Sequence, residues 1–298
     1  KRYRGSRRVL RLMAYRLIDD FLELLTGHRG PFESRIAFIR HKDGFRELWM
    51  AYPDGGEETP LITRGLCMSP AWSPRGDKIV FTGFRRMNPD LYLLDLPTGK
   101  LRLLSSRPGP NCAAAWSPDG KKLVLSMRGK GGEMDLFLLQ TRGGKPLPLT
   151  RTPYVETSPT WSPDGRKIAF VSDRTGTPQI YVMDVNTRRI RPLTRFGTYN
   201  CSPAWSPRGD WIAFSGRWEG EFRIFLIRPD GSDLRLITPY GGNHEDPSWA
   251  PNGRHIAFSS DMRGGRDIYI TTIRGGGPWA VTLSKEEESQ PAWSPLLR

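Results

Sequence analysis

Short runs of hydrophobic residues alternate with turn residues along most of the chain, and the pattern returns at a constant interval. Six tryptophans in near-identical settings mark this interval: Trp72, Trp116, Trp161, Trp205, Trp249 and Trp293. Their spacings are 44, 45, 44, 44 and 44 residues. Self-similarity at a fixed period of this length is the signature of a repeat protein. Most of the chain is therefore predicted to consist of repeated structural units.

Each repeat predicts four β-strands. The tryptophan lies in the first strand, and in most repeats Ser-Pro-x-Gly follows it, because Pro presets a turn and Gly accepts a positive φ. A large apolar residue nine positions later, such as Phe170, belongs to the second strand, and residues 180–183 are typical of a third. Residues 193–194, with counterparts at 236–238 and 281–282, predict the fourth strand. Four strands in a repeat of this length are typical of a β-propeller blade.

The two ends of the chain are predicted to complete one blade together. Residues 34–39, 46–50 and 61–63 match the second, third and fourth strands of a blade that lacks its tryptophan strand, and Trp293 begins a strand with nothing after it. The missing tryptophan would stand at position 29, and the 264 residues from there to Trp293 are six periods of 44. We predict an all-β fold for residues 34–298, a six-bladed β-propeller with four-stranded blades, closed by pairing the N-terminal strands with the C-terminal strand. Closure removes exposed sheet edges, which otherwise promote aggregation.

Residues 1–33 do not follow the repeat. Apolar residues recur there every three or four positions, as on one face of an amphipathic helix: Leu10, Met13, Leu17, Phe21 and Leu25. Gly27 suits the C-cap of this helix. Asp19 and Asp20 fall within the helix and are expected on its solvated side. Because one helix is not a domain, we interpret residues 1–33 as the helical remnant of an N-terminal domain that precedes the propeller.

The composition narrows the class of protein. Hydrophobic residues make up 37% of the chain and aromatic residues 11%, which excludes an intrinsically disordered protein. No stretch approaches the ~18 consecutive apolar residues of a transmembrane helix. Cys67, Cys112 and Cys201 are too few for a disulfide framework and form no C-x-x-C pair, so zinc is not predicted, while a disulfide between neighbouring blades stays open. The chain begins with Lys1 and no export signal follows, which indicates a processed or truncated product.

Two segments resemble a known family. Residues 25–38 read Leu-Thr-Gly-His-Arg-Gly-Pro-Phe-Glu-Ser-Arg-Ile-Ala-Phe, which resembles the passage from the N-terminal domain into the propeller in the TolB family. Residues 291–296, Pro-Ala-Trp-Ser-Pro-Leu, resemble the terminus of that family. The blades alone are less specific, because similar blades occur in prolyl-oligopeptidase-like peptidases.

The resemblance implies a function. Members of the TolB family are non-enzymatic periplasmic adaptors of the Tol–Pal system, which supports outer-membrane integrity and constriction at cell division. They bind Pal, the peptidoglycan-associated lipoprotein, on one end face of the propeller over its channel, and TolA through an extreme N-terminal segment. We therefore expect a periplasmic monomer that binds a Pal-like lipoprotein, with a TolA-like partner bound only through a segment absent from this chain.

In the family, the loops that contact Pal precede the tryptophan strands. They correspond here to residues 64–69, 107–113, 151–158, 195–202, 240–246 and 284–290. Ala113 and Thr157 are the best matches to the family's contact positions, whereas Pro110 stands where the family can carry a histidine. The residues expected to contact the partner are Ala113, Glu156, Thr157, Asn200, His244, Glu245 and Glu288.

Acidic residues concentrate in the last two of these loops. They are Glu245 and Asp246 in one loop and Glu286, Glu287 and Glu288 in the next, with Glu156 adding a third loop. Oxygen ligands that converge on a channel suit Ca²⁺, although the EF-hand spacing is absent. No cofactor is predicted, and calcium in the channel stays an alternative. The preferred interpretation is that these carboxylates steer a protein partner, because complementary fields set association rate and specificity.

Catalysis and nucleic-acid binding find little support in the sequence. No G-x-S-x-G, H-E-x-x-H or Walker A motif occurs, and the four histidines are His28, His41, His244 and His255. The net charge of +14 comes with no nucleic-acid-binding motif. Its interpretations are attraction to anionic lipid headgroups, attraction to an acidic partner, or origin from a lineage whose proteins are basic. Two alternatives to the adaptor stay open: an accessory subunit of another envelope assembly, and the regulatory propeller of a peptidase that lacks its catalytic domain.

Overall fold

A computed structural model describes residues 10–84 and 87–297 of the chain. Within these residues the chain forms one α-helix, α1 (Leu10–Thr26), and 24 β-strands in six four-stranded sheets. Several basic residues that contribute to the high net charge lie outside the described residues: Lys1, Arg2, Arg4, Arg7, Arg8, Arg85 and Arg86.

Blade 1 joins the two ends of the chain. Its strands, in spatial order, are β24 (Glu287–Trp293), β1 (Ile36–Lys42), β2 (Phe45–Ala51) and β3 (Thr59–Ile62). Blade 2 contains β4 (Cys67–Trp72), β5 (Lys78–Gly83), β6 (Asp90–Asp95) and β7 (Leu101–Ser105). Blade 3 contains β8 (Asn111–Trp116), β9 (Lys122–Arg128), β10 (Met134–Gln140) and β11 (Leu147–Pro148).

The remaining three blades repeat this order. Blade 4 contains β12 (Glu156–Trp161), β13 (Lys167–Ser172), β14 (Gln179–Asp184) and β15 (Ile190–Pro192). Blade 5 contains β16 (Asn200–Trp205), β17 (Ile212–Trp218), β18 (Glu221–Ile227) and β19 (Arg235–Leu236). Blade 6 contains β20 (His244–Trp249), β21 (His255–Ser260), β22 (Asp267–Thr272) and β23 (Trp279–Ala280).

The predicted closure of the ring is confirmed. β24 pairs antiparallel with β1, with Trp293 opposite Ile36 and Ala292 opposite Ala37. The tryptophan strand lies at one edge of every sheet, and neighbouring tryptophan strands contact one another around the ring, so these strands line its centre. The fold is therefore the predicted six-bladed propeller with one N-terminal helix.

The hydrophobic core lies between the blades. Six clusters of buried residues each combine side chains from two neighbouring blades, as where Val124 and Leu136 of blade 3 pack with Phe170 and Tyr181 of blade 4. Because neighbours cover both faces of each sheet, the second and third strands are buried continuously rather than at alternate positions. Burial of both faces explains why these strands are apolar throughout.

The tryptophans also join the blades through hydrogen bonds. The indole Nε1 of Trp72 donates to the carbonyl of Ala292 at 2.9 Å, and that of Trp116 donates to the carbonyl of Ala71 at 3.1 Å. In both pairs the acceptor directly precedes the tryptophan of the preceding blade. A buried indole nitrogen needs such a partner, so each of these bonds favours one register between neighbouring blades.

The fourth strands lie a few residues earlier than predicted. Leu193 and Thr194 do not belong to β15, because their amides both donate to the carbonyl of Ile180 (2.8 and 3.2 Å) instead of continuing the ladder. The hydroxyl of Thr194 then accepts the amide of Ile180 at 2.9 Å. Thr150, Thr238 and Thr282 accept the equivalent amides in blades 3, 5 and 6. In these four blades a threonine side chain thus replaces one rung of the ladder where the blade leads into the next loop.

The prediction for Asp19 is wrong, because this residue is fully buried rather than solvated. Its carboxylate accepts the backbone amides of Phe32 at 3.0 Å and Glu33 at 2.8 Å, which holds the chain where it turns back beside α1. Gly30 permits this approach, since a Cβ there would lie 2.1 Å from Asp19 Oδ1. The Asp19 carboxylate therefore stabilises the turn between α1 and the propeller by accepting its backbone amides.

The predicted apolar face of α1 is mostly exposed. Leu10, Leu17, Phe21 and Leu25 are each more than half exposed. The helix instead buries Tyr15, whose ring packs against Tyr52 at 4.7 Å between centroids. Gly27, with a φ of 72°, ends the helix as predicted.

Candidate partner-binding face

The tryptophan strands surround a central channel with two mouths. Residues from all six blades line each mouth, because each blade contributes its innermost strand. At one end, the turns after the tryptophans border a cavity of about 450 Å³, which we call the turn mouth. At the other end, the loops before the tryptophans border a cavity of about 460 Å³, which we call the loop mouth. The loop mouth is the face on which the resemblance places a partner.

A ring of six residues in the left-handed conformation encircles the loop mouth. These residues stand three positions before each tryptophan and have φ values of 49–55°: Ser69, Ala113, Ser158, Ser202, Asp246 and Gln290. We call them the mouth ring. Positive φ is uncommon for residues other than glycine and persists where the surrounding structure enforces it.

A β-bulge at each ring position explains this conformation. In blade 4, Ser158 and Pro159 together oppose the single residue Phe170, and the register between β12 and β13 shifts there. The other five blades show the same shift. The residue that faces the bulge is the large residue nine positions after the tryptophan, and in blade 1, which joins the two ends of the chain, it is Phe38. Bulges of this kind bend a strand and redirect its side chains. The mouth ring is therefore a repeated and internally supported feature of the blades.

Hydrogen bonds between neighbouring blades also connect residues of the mouth ring. The amide of Ser69 donates to Gln290 Oε1 at 2.8 Å, and the hydroxyl of Ser202 donates to Asp246 Oδ1 at 2.8 Å. Burial raises the pKa of the Asp246 carboxyl, because it lies against the channel wall. These contacts connect blade 1 to blade 2 and blade 5 to blade 6 at the mouth itself.

The residues two positions before the mouth ring are buried and hold the loops. These anchor residues are Cys67, Asn111, Glu156, Asn200, His244 and Glu288, each at most 2% exposed. Asn111 donates to the carbonyl of Arg107 at 2.7 Å and Asn200 to the carbonyl of Phe196 at 2.7 Å. In both cases the acceptor lies four residues earlier, so the anchor ties the loop back onto its own blade.

His244 fills the same role in blade 6. Its Nε2 lies 3.1 Å from the carbonyl of Tyr240, four residues earlier, and its Nδ1 lies 2.9 Å from the hydroxyl of Ser260. Burial lowers the pKa of the imidazole, which favours the neutral ring. A neutral ring that donates from Nε2 to the carbonyl and accepts at Nδ1 satisfies both contacts.

Three carboxylates of the acidic loops are paired with arginines. Glu288 accepts from Arg40 Nε at 2.8 Å, Glu245 lies 2.6 Å from Arg266 Nη2, and Glu156 is paired with Arg174. Burial raises the pKa of Glu156 and of Glu288. Among the described residues, no group of three or more His, Cys, Asp or Glu side chains is arranged to hold a metal ion.

The three cysteines lie beside the loop mouth, and two of them have weakly acidic thiols. Cys112 and Cys201 stand four residues before a tryptophan, and burial raises the pKa of their thiols to about 11 and about 12. Both therefore stay protonated at neutral pH, and protonated thiols are poor nucleophiles. No disulfide joins the cysteines, all of which belong to the described part of the chain.

The predicted contact residues divide into two groups. Ala113 belongs to the mouth ring, and Thr157 and Glu245 stand next to it with partly exposed side chains. Glu156, Asn200, His244 and Glu288 are buried anchors, so in this structure they shape the loops and do not face the channel. The sequence analysis missed Ser69, Ser158, Ser202 and Gln290. These positions could have been recognised in the sequence, because the residue three positions before the tryptophan is followed directly by Pro in five of the six repeats.

No helix in the described residues has both the length and the apolar composition needed to cross a membrane.

Comparison with known proteins assigns the chain to a family. A family model described as the TolB β-propeller domain matches residues 22–297, which is most of the chain. The Tol-Pal system protein TolB of Polaromonas sp. (strain JS666 / ATCC BAA-500) is 39% identical over 105 residues, which cover 35% of this chain and 25% of that protein. The match thus spans about a quarter of the length of this relative.

Solved structures agree with the family model. The crystal structure of TolB from Acinetobacter baumannii matches with a TM-score of 0.89 and 27% identity, and covers 98% of this chain and 74% of that chain. The structure of a putative TolB from Agrobacterium tumefaciens matches with a TM-score of 0.69 and 23% identity over 84% of this chain and 89% of that chain, which supports the fold. With the repeat, the closure of the ring and the family model in agreement, this chain belongs to the TolB β-propeller family.

Proposed function

We propose that this protein is a non-enzymatic periplasmic adaptor of the Tol–Pal system, and that it binds a Pal-like peptidoglycan-associated lipoprotein over the loop mouth of its channel. The observation that carries the proposal is the mouth ring, found in a member of the TolB family. Relatives named as Tol-Pal system proteins supply the system in which the adaptor would act. In that system it would support outer-membrane integrity and cell division.

The mouth ring favours binding because it is already ordered. Its left-handed residues are held by bulges and by hydrogen bonds between blades, so little conformational entropy remains to be lost when a partner binds. The anchor residues add to this order from beneath, because each loop they hold is tied to its blade. A rigid scaffold that presents short loops is a common arrangement for protein recognition.

Charge would set the orientation of the partner. Glu245 is partly exposed at the blade 6 side of the loop mouth and shares its charge with Arg266. On the neighbouring part of the rim, Arg151 and Arg195 are exposed in the loops that lead into blades 4 and 5. An uneven distribution of charge around the mouth favours one orientation of a bound segment and steers its approach.

The proposal is tested by calorimetric titration with the soluble domain of the Pal-like lipoprotein from the same source. The informative variant is Thr157→Trp, whose indole would cover the loop mouth beside Ser158. Equivalent positions in blades 2 and 6 carry Met68 and Glu245, so a longer side chain fits there without disturbing the blade. We expect the variant to weaken binding at least about tenfold, which corresponds to ~1.4 kcal/mol.

Lys145→Trp is the matched control. Lys145 is exposed in the turn between β10 and β11 at the opposite end of the propeller, so the same indole there should leave the affinity unchanged. Absence of binding by the folded wild-type chain would overturn the proposal. Equal weakening by both tryptophan variants would remove the loop mouth as the site.

A further inference from the structure

A second cavity opens at the end of the propeller opposite to the loop mouth. It is a groove of about 1000 Å³ between blades 2 and 3, bordered by the turns that join β4 to β5, β8 to β9 and β10 to β11. We call it the blade 2–3 groove. Five basic residues line it, Arg75, Lys78, Arg102, Lys121 and Arg142, against two acidic residues, Asp77 and Asp119.

Three of the five cations are available to a ligand. Lys78 is paired with Asp77 at 2.5 Å and with Asp95 at 3.2 Å, so its charge is neutralised. Arg102 donates to the carbonyl of Thr141 at 2.5 Å and thereby joins blade 2 to blade 3. Arg75, Lys121 and Arg142 are exposed, and none of them forms an ion pair with another described residue. The groove therefore presents an excess of positive charge that the protein itself does not balance.

The junction between blades 4 and 5 is built in the same way but distributes its charges differently, with Arg166 and Arg208 where the groove has Asp77 and Asp119. Arg191 takes the place of Arg102 and donates to the carbonyl of Pro229, which corresponds to Thr141. The positions equivalent to Arg75, Lys121 and Arg142 hold Asp164, Asp210 and Asp230. Because each of these three positions holds an acidic residue in another junction, the fold does not require a cation at any of them.

An aromatic surface accompanies these cations. Among the six repeat tryptophans, Trp116 is partly exposed whereas the other five are buried, and Trp116 lines the blade 2–3 groove. Its Nε1 is already bonded to the carbonyl of Ala71 at 3.1 Å, so the indole offers its apolar face rather than a donor. Leu93 adds a second apolar wall.

We propose that the blade 2–3 groove binds a multiply phosphorylated organic anion, with phosphates held by Arg75, Lys121 and Arg142 and the carbon skeleton packed on Trp116. Arginine matches phosphate oxygens with two parallel N–H donors, and lysine adds a compact charge. The volume of the groove exceeds what one inorganic phosphate would fill, and its cations are spread over two blades. Both features favour a ligand with more than one phosphate. The phosphoester can belong to a soluble metabolite or to a lipid headgroup.

The test uses two probes and one variant of the full chain. Fructose 1,6-bisphosphate represents the soluble source, and phosphatidylcholine vesicles containing cardiolipin, whose headgroup carries two phosphates, represent the lipid source. Binding is measured by calorimetry and by vesicle sedimentation at about 0.15 M ionic strength, where exposed charges are screened beyond ~8 Å. The variant combines Arg75→Asp, Lys121→Asp and Arg142→Asp, which copies the residues of the blade 4–5 junction. Because sister repeats carry these residues, the variant should fold, and thermal unfolding checks this.

A second triple variant controls for net charge. It changes the net charge of the chain by the same amount, at three exposed positions outside the groove: Lys130→Asp, Arg188→Asp and Arg217→Asp. We expect the groove variant to lose at least about tenfold in affinity for the probe that binds, and the control to change less than about twofold.

The pattern of binding decides the outcome. Binding of the bisphosphate identifies a soluble ligand, and binding of vesicles alone identifies a headgroup; both support the groove if the groove variant is selectively weakened. Equal weakening in the two triple variants would show general attraction to basic charge and overturn the proposal. Failure of the wild-type chain to bind either probe would also overturn it. None of these results depends on a partner at the loop mouth.

Discussion

The propeller and the helix that precedes it both arise from regularly spaced apolar residues, but they use them in opposite ways. In blade 4, Phe170 is completely buried between two sheets. In α1, Phe21 belongs to an equally regular apolar stripe and is 55% exposed. The helix is held against the propeller by Tyr15 and by the buried carboxylate of Asp19.

The difference shows what periodicity does and does not specify. A blade has neighbours on both sides, so every apolar side chain on its central strands has a surface to pack against. A single helix on the outside of a ring has one contact surface, and the face that meets it is chosen by specific bonds. In α1 those bonds are the ones from the amides of Phe32 and Glu33 to Asp19.

The largest expected difference between the two regions is the cost of truncating a phenylalanine. Phe170→Ala should lower the free energy of unfolding by about 3–5 kcal/mol, because it removes a buried ring and leaves a cavity between blades 3 and 4. Phe21→Ala, the same change on the exposed face of α1, should cost less than ~0.5 kcal/mol. Urea unfolding followed by tryptophan fluorescence measures both. Similar losses for the two variants would mean that the helix stripe is buried in solution.

A smaller effect is expected for the buried carboxylate of the helix. Asp19→Ala leaves the amides of Phe32 and Glu33 without their acceptor, which should cost about 1–3 kcal/mol in the local stability of this segment. Hydrogen exchange of residues 30–34, compared with exchange in the central strands of blade 4, would detect the loss as local opening.

Glu23→Ala is the control for this comparison. Glu23 is exposed on the same helix and has an ion pair with Arg29 at 3.3 Å, a contact worth at most about 1 kcal/mol. It should leave exchange at residues 30–34 nearly unchanged. If both variants opened the segment equally, helix stability rather than the buried carboxylate would hold the turn.

The smallest effect concerns a buried polar residue of the ring and depends on pH. The pKa of His244 is lowered in the folded state, so the unfolded chain binds more protons below its ordinary value of about 6.5. Folding stability should therefore fall as the pH decreases from 7 to 5, by at most about 2 kcal/mol from this residue. His244→Asn removes this dependence while keeping a donor for the carbonyl of Tyr240, as Asn111 and Asn200 show in their blades.

The measurement is the difference in unfolding free energy between pH 7 and pH 5 for the two proteins. His41 and His255 also have lowered pKa values, and they contribute equally to both proteins, so the subtraction isolates His244. An unchanged pH dependence in the variant would contradict the neutral state of the buried imidazole.

Much of the fold could be predicted because the same residue pattern recurs at a nearly constant spacing along the chain. Six tryptophans at one spacing indicated six blades, and the half-blades at the two ends indicated how the ring closes, as the pairing of Ile36 with Trp293 confirms. The fourth strands were misplaced by a few residues because Thr194 and its equivalents look like strand residues. Their hydroxyls in fact replace a backbone acceptor, which no hydrophobic pattern records.

The loop mouth could be located from the sequence, but the roles of its residues could not be assigned. Four polar residues in the predicted loops were expected to face a partner: Glu156, Asn200, His244 and Glu288. Burial shows that they hold the loops from beneath. The residues that do line the mouth are mostly small, such as Ser158 and Ser202, and their left-handed backbone follows from bulges that form only when two strands pair.

The sequence by itself determined the number of blades, the strand that heads each blade and the closure of the ring, because a repeated local pattern has one way to bury its apolar residues. Only the tertiary structure decided which face of α1 meets the propeller, which loop residues are anchors and which line the mouth, and which junction between blades carries unbalanced charge. Each of these depends on what lies on the other side of a contact, as Asp19 and Arg75 illustrate. The spacing of residues along the chain specifies which structural units repeat. Contacts between distant segments specify whether a given side chain is buried, paired or exposed.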